Sequence, residues 1–149
     1  MGQDQGRHYI VMQYVEGRTL KGHSRDDLRA AVDLVRDAAR AVQYAHEQGI
    51  VHRDLKPENL MVAKDHVYVM DFGLARATEG ASGLSISGQV VGTPSYMPPE
   101  QARGTRVDAR ADVYSLGATL YEVLTGKVPF RGENVYETLR MVQEDDPKP

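Results

Sequence analysis

The first part of the chain alternates between apolar and polar stretches that predict a strand followed by a helix. Residues 9–15 are rich in β-branched and aromatic side chains, and Gly17 follows them, so we expect a buried strand that enters a turn. Apolar residues then recur at helical spacing from a polar, acidic start at Ser24 as far as His46. Gly49 predicts the end of this helix.

The rest of the chain predicts short strands and two further helices. Residues 60–62 and 67–70 are short apolar runs that predict two strands joined by a tight turn. Residues 78–92 are rich in glycine and serine and predict a surface loop. Residues 108–124 predict a buried helix, and Asn134 predicts the cap of a last amphipathic helix.

Composition limits the possible partners and compartments. The 149 residues suffice for one domain with a core; their net charge of -3 gives no basic surface for nucleic acid or a membrane. Cysteine is absent, which excludes disulfides and thiolate metal sites and fits a cytoplasmic location. No apolar run is long enough to span a bilayer, and the polar start of the chain is unlike a signal peptide.

The strongest chemical signal is the octet at residues 52–59, which reads HRDLKPEN. It resembles the catalytic loop of protein kinases. In phosphoryl transfer, Asp54 would accept the proton of a substrate hydroxyl, Lys56 would face the γ-phosphate, and Asn59 would offer its amide oxygen to Mg²⁺. A His-Arg-Asp triplet alone would usually be a solvated turn, but the complete octet favours the kinase interpretation.

Three later motifs extend the resemblance. Asp71 begins an Asp-Phe-Gly triplet and would be the second Mg²⁺ ligand. Thr93 would form a hydrogen bond near Asp54 and Lys56, at the end of an activation segment over residues 71–100. Asp112 would accept hydrogen bonds from the backbone of the catalytic loop. Taken singly, each motif is short enough to be an ordinary loop or helix start.

The resemblance also implies a nucleotide edge. Met12 would be the residue beside the adenine pocket, the Gln13 carbonyl and the Val15 amide would face the base, and Met61 would lie under the purine. The alternative for residues 9–15 is an ordinary core strand.

The implied protein is a bacterial-type serine/threonine kinase that uses ATP and Mg²⁺ to phosphorylate Ser or Thr of a protein substrate. The implied fold is α+β: residues 1–149 would form part of a kinase domain, its mainly helical C-terminal lobe with short β hairpins. The N-terminal lobe would be largely absent, because the chain has no Gly-x-Gly and its only lysine before the octet is Lys21. The domain would be cytoplasmic, or the cytoplasmic part of a membrane-anchored protein. The chain alone would be inactive, with residues 9–15 exposed.

Two other functions stay open at this point: a non-catalytic kinase-like scaffold or fragment, and an unrelated helical binding module that would require four ordered motifs to be coincidence. A regulatory hypothesis concerns Arg53, which in this family can hold a phosphate on the activation segment. Ser85 and Ser87 are the candidate phosphorylation sites; the alternative is that both serines only make the loop soluble.

Overall fold

A computed structural model describes residues 2–22, 27–64, 66–72 and 93–148. The α-helices are α1 (Leu28–Glu47), α2 (Pro99–Ala102), α3 (Ala109–Thr125) and α4 (Val135–Glu144). The strands are β1 (Gly2–Asp4), β2 (Arg7–Tyr9), β3 (Arg18–Thr19), β4 (Leu60–Ala63) and β5 (His66–Val69). Single 3₁₀ turns occupy Leu20–Gly22, Pro57–Asn59 and Pro94–Tyr96. None of these helices is long and apolar enough to cross a membrane.

The first long helix begins at a side-chain cap and ends at a left-handed glycine. The Asp27 carboxylate accepts a hydrogen bond from the Ala30 amide at 2.9 Å and so satisfies a free N–H of the first turn. The predicted start at Ser24 lies outside the described residues. Gly49 has a φ of 73°, which favours glycine, and the predicted end of the helix is confirmed.

Two small antiparallel sheets accompany the helices. β1 and β2 form a hairpin by themselves, whereas β3, β4 and β5 form a three-stranded sheet in that order. Leu60 pairs with Val69 and Ala63 with His66, so the two strands predicted over residues 60–70 are confirmed. This hairpin brings the end of the octet next to the residues that precede Asp71.

The strand predicted over residues 9–15 is wrong beyond its first residue. Only Tyr9 belongs to a strand; Val11 is 79% exposed and Tyr14 is 86% exposed. High β-propensity forms a strand only where a neighbour completes the ladder, and in the described chain no strand pairs with residues 10–15. The exposure of Val11 and Tyr14 agrees with the expectation that residues 9–15 are exposed in this chain.

The core lies between α1, α3 and the three-stranded sheet. Its members are all apolar: Leu20, Ala31, Leu34, Val35, Ala38, Val42, Leu55, Leu60, Leu116 and Val123. The predicted helix over residues 108–124 is confirmed, with Asp108 as its cap and Gly126 in the left-handed region after it. It is buried along one broad face and not all round, since Val113 is 66% exposed.

The remaining predictions have different outcomes. The Asn134 side chain accepts a hydrogen bond from the Glu137 amide at 2.9 Å and caps α4, as predicted. The loop predicted over residues 78–92 lies outside the described residues, as do Ser85 and Ser87.

Candidate active site

A buried carboxylate fixes the start of the octet. Asp112, near the start of α3, is fully buried. Its carboxylate oxygens accept hydrogen bonds from the backbone amides of His52 and Arg53, each at 2.8 Å. A ring nitrogen of His46 on α1 lies 2.7 Å from the same carboxylate. The predicted contact between Asp112 and the loop backbone is confirmed, and these three contacts compensate the burial of the charge.

The octet folds back so that three of its polar side chains meet. Lys56 Nζ lies 2.7 Å from Asp54 Oδ2. Asn59 Nδ2 donates to the Asp54 carbonyl oxygen at 2.7 Å and to Asp54 Oδ2 at 3.2 Å. The Asp54 side chain stays 37% exposed, so a solvent-side group can still reach its carboxylate.

Asn59 also connects the octet to the residues before Asp71. Its carbonyl oxygen accepts a hydrogen bond from the Met70 amide at 2.8 Å. A ring nitrogen of His52 lies 2.8 Å from the Met70 carbonyl oxygen, and the His52 ring meets the Phe72 ring edge-on at 4.8 Å. The Met70 backbone and the Phe72 ring, on the two sides of Asp71, are therefore held against the octet.

Two residues of this site have unusual backbone geometry. Arg53 has a φ of 69° and Asp71 a φ of 62°, both in the left-handed region that side chains other than glycine rarely adopt. Such residues persist where surrounding contacts hold them, and they are frequent at functional sites. Arg53 directly precedes the predicted base Asp54, and Asp71 is itself a predicted Mg²⁺ ligand.

A cavity of about 620 Å³ lies beside this site. Met12, Gln13 and Val15 line it together with Asp71 and with residues 67–69 of β5. Met61 does not line it; it lies in β4, paired with Thr19 and Tyr68. Three of the four residues predicted to contact adenine thus share one cavity with Asp71, one of the two predicted metal ligands.

Comparison with known proteins identifies the family. The protein kinase domain family matches residues 1–146. The chain belongs to this family. It is 46% identical over 146 residues to the serine/threonine-protein kinase PknB of Mycobacterium leprae, covering 95% of this chain and 24% of that protein. It is 42% identical over 150 residues to the probable serine/threonine-protein kinase CA_C1728 of Clostridium acetobutylicum, covering 97% of this chain and 23% of that protein.

The chain therefore spans about a quarter of the length of the curated relatives it matches. The resemblance to bacterial serine/threonine kinases is confirmed. The implied fold is also confirmed as that of a protein kinase domain, mainly helical with small antiparallel sheets.

One kinase contact expected from the sequence is not formed. Among the described residues, no hydrogen bond joins Thr93 to Asp54 or Lys56. The Lys56 ammonium is paired with Asp54 instead, and the Thr93 carbonyl accepts from the Tyr96 amide in the 3₁₀ turn. Asp54 and Lys56 are thus paired with each other, and the expected threonine contact is absent from the described residues.

The oxygen donors of the site suit Mg²⁺. Asn59 directs its Nδ2 at Asp54, which leaves its amide oxygen for a cation, and Asp71 supplies an anionic oxygen. Among the described residues no group of three histidine or acidic side chains is arranged for a metal. The two predicted ligands would therefore share the ion with phosphate and water oxygens, as magnesium sites commonly do.

The structure adds contacts that the sequence did not reveal. Tyr96 is buried; burial and then its hydrogen bond to Glu122 on α3 raise its pKa, so it remains a neutral donor. The Lys21 ammonium forms an ion pair with Glu58 of the octet, and this hydrogen bond raises the Lys21 pKa. Neither pair has a sequence signal, because both depend on residues more than 25 positions apart.

Proposed function

We propose that this chain carries the catalytic loop of a serine/threonine protein kinase, in which Asp54 is the catalytic base. The observation that supports this most is the arrangement around Asp54: its carboxylate is partly exposed and is contacted by Lys56 and Asn59, in a loop fixed by Asp112.

The residues divide the reaction among them. The oxygen of a substrate serine or threonine forms a bond to the γ-phosphorus of ATP, and the bond between that phosphorus and the oxygen of ADP breaks. The hydroxyl proton passes to the Asp54 carboxylate. Lys56 exchanges its contact with Asp54 for the transferring phosphoryl group, whose negative charge it stabilises.

The metal and nucleotide positions follow the same proposal. Asn59 and Asp71 would hold Mg²⁺, which when bound neutralises charge on the phosphates. Met12, Gln13 and Val15 would contact the adenine from the cavity that they line, and Met61 would lie under the purine. Thr93 would approach Asp54 and Lys56 once substrate is bound.

The proposed substrate is a protein Ser or Thr hydroxyl, as the names of the relatives suggest. Because the reaction uses ATP, the domain would act in the cytoplasm, either free or as the cytoplasmic part of a membrane-anchored protein. A phosphate on Ser85 or Ser87 would be held by Arg53.

The test is Asp54→Asn in the polypeptide as it is naturally produced, whatever flanks these residues. Transfer of labelled phosphate to a Ser/Thr protein substrate should fall about a thousandfold, because removal of a general base costs roughly 10²–10⁴ in rate. Binding of a fluorescent ATP analogue should change by less than about threefold, since Asp54 acts mainly on the transferred group.

The matched control is Asp33→Asn, which alters an exposed aspartate paired with Arg36 on α1. It should leave the rate unchanged. If the wild type incorporates no more phosphate than Asp54→Asn, the proposal is wrong and the alternative of a non-catalytic kinase-like protein takes its place.

A further inference from the structure

Gln101 connects α2 to the catalytic loop by one side-chain contact. Its Nε2 donates a hydrogen bond to the Arg53 carbonyl oxygen at 3.2 Å, across 48 positions of sequence. Its Oε1 is buried, and in the part of the chain that the structure describes it has no hydrogen-bond partner. Burial of a polar group is compensated only by its hydrogen bonds. In the described residues, the bond to the Arg53 carbonyl oxygen is the one that this half-buried amide makes.

The carbonyl that Gln101 contacts belongs to the peptide unit that leads into Asp54. The preceding peptide is held by the bond from the Arg53 amide to Asp112 at 2.8 Å. The Asp54 amide, at the other end of the unit, has only a 3.3 Å bond to a ring nitrogen of His52. Since Arg53 is in the left-handed region, its conformation depends on contacts from outside the octet, and Gln101 and Asp112 supply them.

α2 is itself attached to the end of the predicted activation segment and to α4. The Gln101 and Ala102 amides both donate to the Pro98 carbonyl at 3.0 Å. A guanidinium nitrogen of Arg103, just after α2, donates to the Gln143 carbonyl of α4 at 2.8 Å. A shift of residues 93–98 would therefore move Gln101 with them.

We propose that Gln101 is a positioning residue for Asp54: it fixes the Arg53–Asp54 peptide and transmits the position of α2 to the catalytic base. This inference rests on the proposed kinase function. Gln101 touches no reacting atom; it acts by holding the peptide whose orientation decides where the Asp54 carboxylate points.

The informative variant is Gln101→Met, which keeps the length of the side chain and removes its N–H donors. The matched control is Gln143→Met, because the Gln143 side chain donates at 3.0 Å to the Leu139 carbonyl within its own helix. Both variants lose one amide-to-carbonyl bond, but only the first contacts the octet.

The kinetic measurement uses the naturally produced polypeptide. We expect Gln101→Met to lower kcat about tenfold, because loss of one positioning hydrogen bond and a small displacement of a base have effects of this order. The KM for ATP should change less than about twofold, since the substitution alters no residue that is proposed to bind ATP. The melting temperature should stay within about 3 °C. Gln143→Met should leave kcat unchanged.

A second measurement does not depend on turnover. In ¹⁵N NMR spectra, Gln101→Met should shift the Asp54 amide resonance, because a hydrogen bond to a carbonyl polarises the peptide whose nitrogen belongs to the next residue. Gln143→Met should leave that resonance in place.

The outcomes separate the two proposals. A normal kcat in Gln101→Met, or a loss of rate that matches a loss of stability without a shift at Asp54, overturns the positioning role. If the wild type transfers no phosphate, the kinase function fails and the positioning role fails with it, whereas the NMR shift then reports only whether the Gln101–Arg53 contact exists.

Discussion

The Asp112 carboxylate has three polar neighbours. It accepts hydrogen bonds from two backbone amides of the octet, and a ring nitrogen of His46 lies 2.7 Å from it. Its burial is compensated because each carboxylate oxygen accepts a hydrogen bond from the octet, and these bonds hold the backbone of His52 and Arg53 in place. The residue therefore has a structural role, because it fixes the start of the octet.

Asp112→Asn should destabilise the chain by about 3 kcal/mol, because the new amide turns donors towards donors and leaves a buried group unsatisfied. Urea unfolding followed by circular dichroism measures this. Asp33→Asn, on the exposed face of α1, should change the free energy of unfolding by less than about 0.5 kcal/mol. Equal effects of the two substitutions would contradict the anchoring role.

Asp108, the cap of α3, gives a prediction on pH. The Arg110 side chain and then its backbone amide lower the pKa of Asp108 to about 2. A lowered pKa in the folded state means that the ionised form stabilises the fold above pH of about 4, and that this contribution disappears as the pH falls towards 2.

The measurement is the melting temperature of the wild type and of Asp108→Asn, which keeps a capping side chain without its charge. The difference between them should be constant from about pH 5 to 7 and should shrink below about pH 4. In an Arg110→Gln background the difference should vary less with pH. A difference that stays constant down to pH 2.5 would refute the assignment.

At this scale the sequence predicted the contacts that follow from a motif and missed those that follow from the fold. The anchoring of the octet by Asp112 was expected and is found. The Thr93 contact was expected and is not found among the described residues, where Lys56 and Asp54 are paired with each other. Gln101 gave no signal, since a glutamine after a short proline-rich stretch carries no pattern until α2 is placed beside Arg53.

The elements show where local pattern is sufficient. α1 and α4 were predicted because a cap and an apolar face at helical spacing are local properties. Residues 10–15 have a strong strand pattern and form no strand, because a strand is stabilised by a neighbour that local sequence does not supply.

Two glycines, one just before β3 and one within α3, give a prediction about the packing around them. A Cβ at Gly17 would clash with the Val62 carbonyl oxygen and approach the Ala63 Cβ to 3.0 Å. At Gly117 in α3 a Cβ would meet nothing within 4 Å.

Gly17→Ala should destabilise the chain by about 2 kcal/mol, since backbone in the β4 ladder cannot move aside cheaply. Gly117→Ala should stabilise it by up to about 1 kcal/mol, because alanine favours the helix. Thermal unfolding of both variants tests this. Opposite signs are the expected result, and a stabilising Gly17→Ala would show that β3 does not lie against β4 as found.

At the scale of the whole molecule, the octet is assembled, but few of the described groups could contact the phosphates of a nucleotide. Residues 1–149 contain no Gly-x-Gly, and Lys21, their one lysine before the octet, is paired with Glu58. The apolar side chains of residues 9–14 that line the proposed nucleotide cavity are largely exposed. Positioning is most of catalysis in phosphoryl transfer, so this set of contacts is small for the task.

Residues 1–149 purified alone should therefore transfer no measurable phosphate. The assay uses labelled ATP, Mg²⁺ and a generic Ser/Thr substrate, with Asp54→Asn in the same chain as the background. Incorporation above this background would show that the described residues are sufficient for turnover, contrary to the prediction.

The contact between Asp112 and the octet also has a consequence for folding kinetics. The two partners are separated by 59 and 60 positions, so their bonds form only after a long stretch of chain has been closed. A nascent or partly unfolded chain contains HRDLKPEN but not the geometry on which the proposed role of Asp54 as a base depends. Amide protons of His52 and Arg53 should then exchange with solvent only through the opening that also exposes α3. Any activity that depends on this loop should scale with the fraction of chains that are folded.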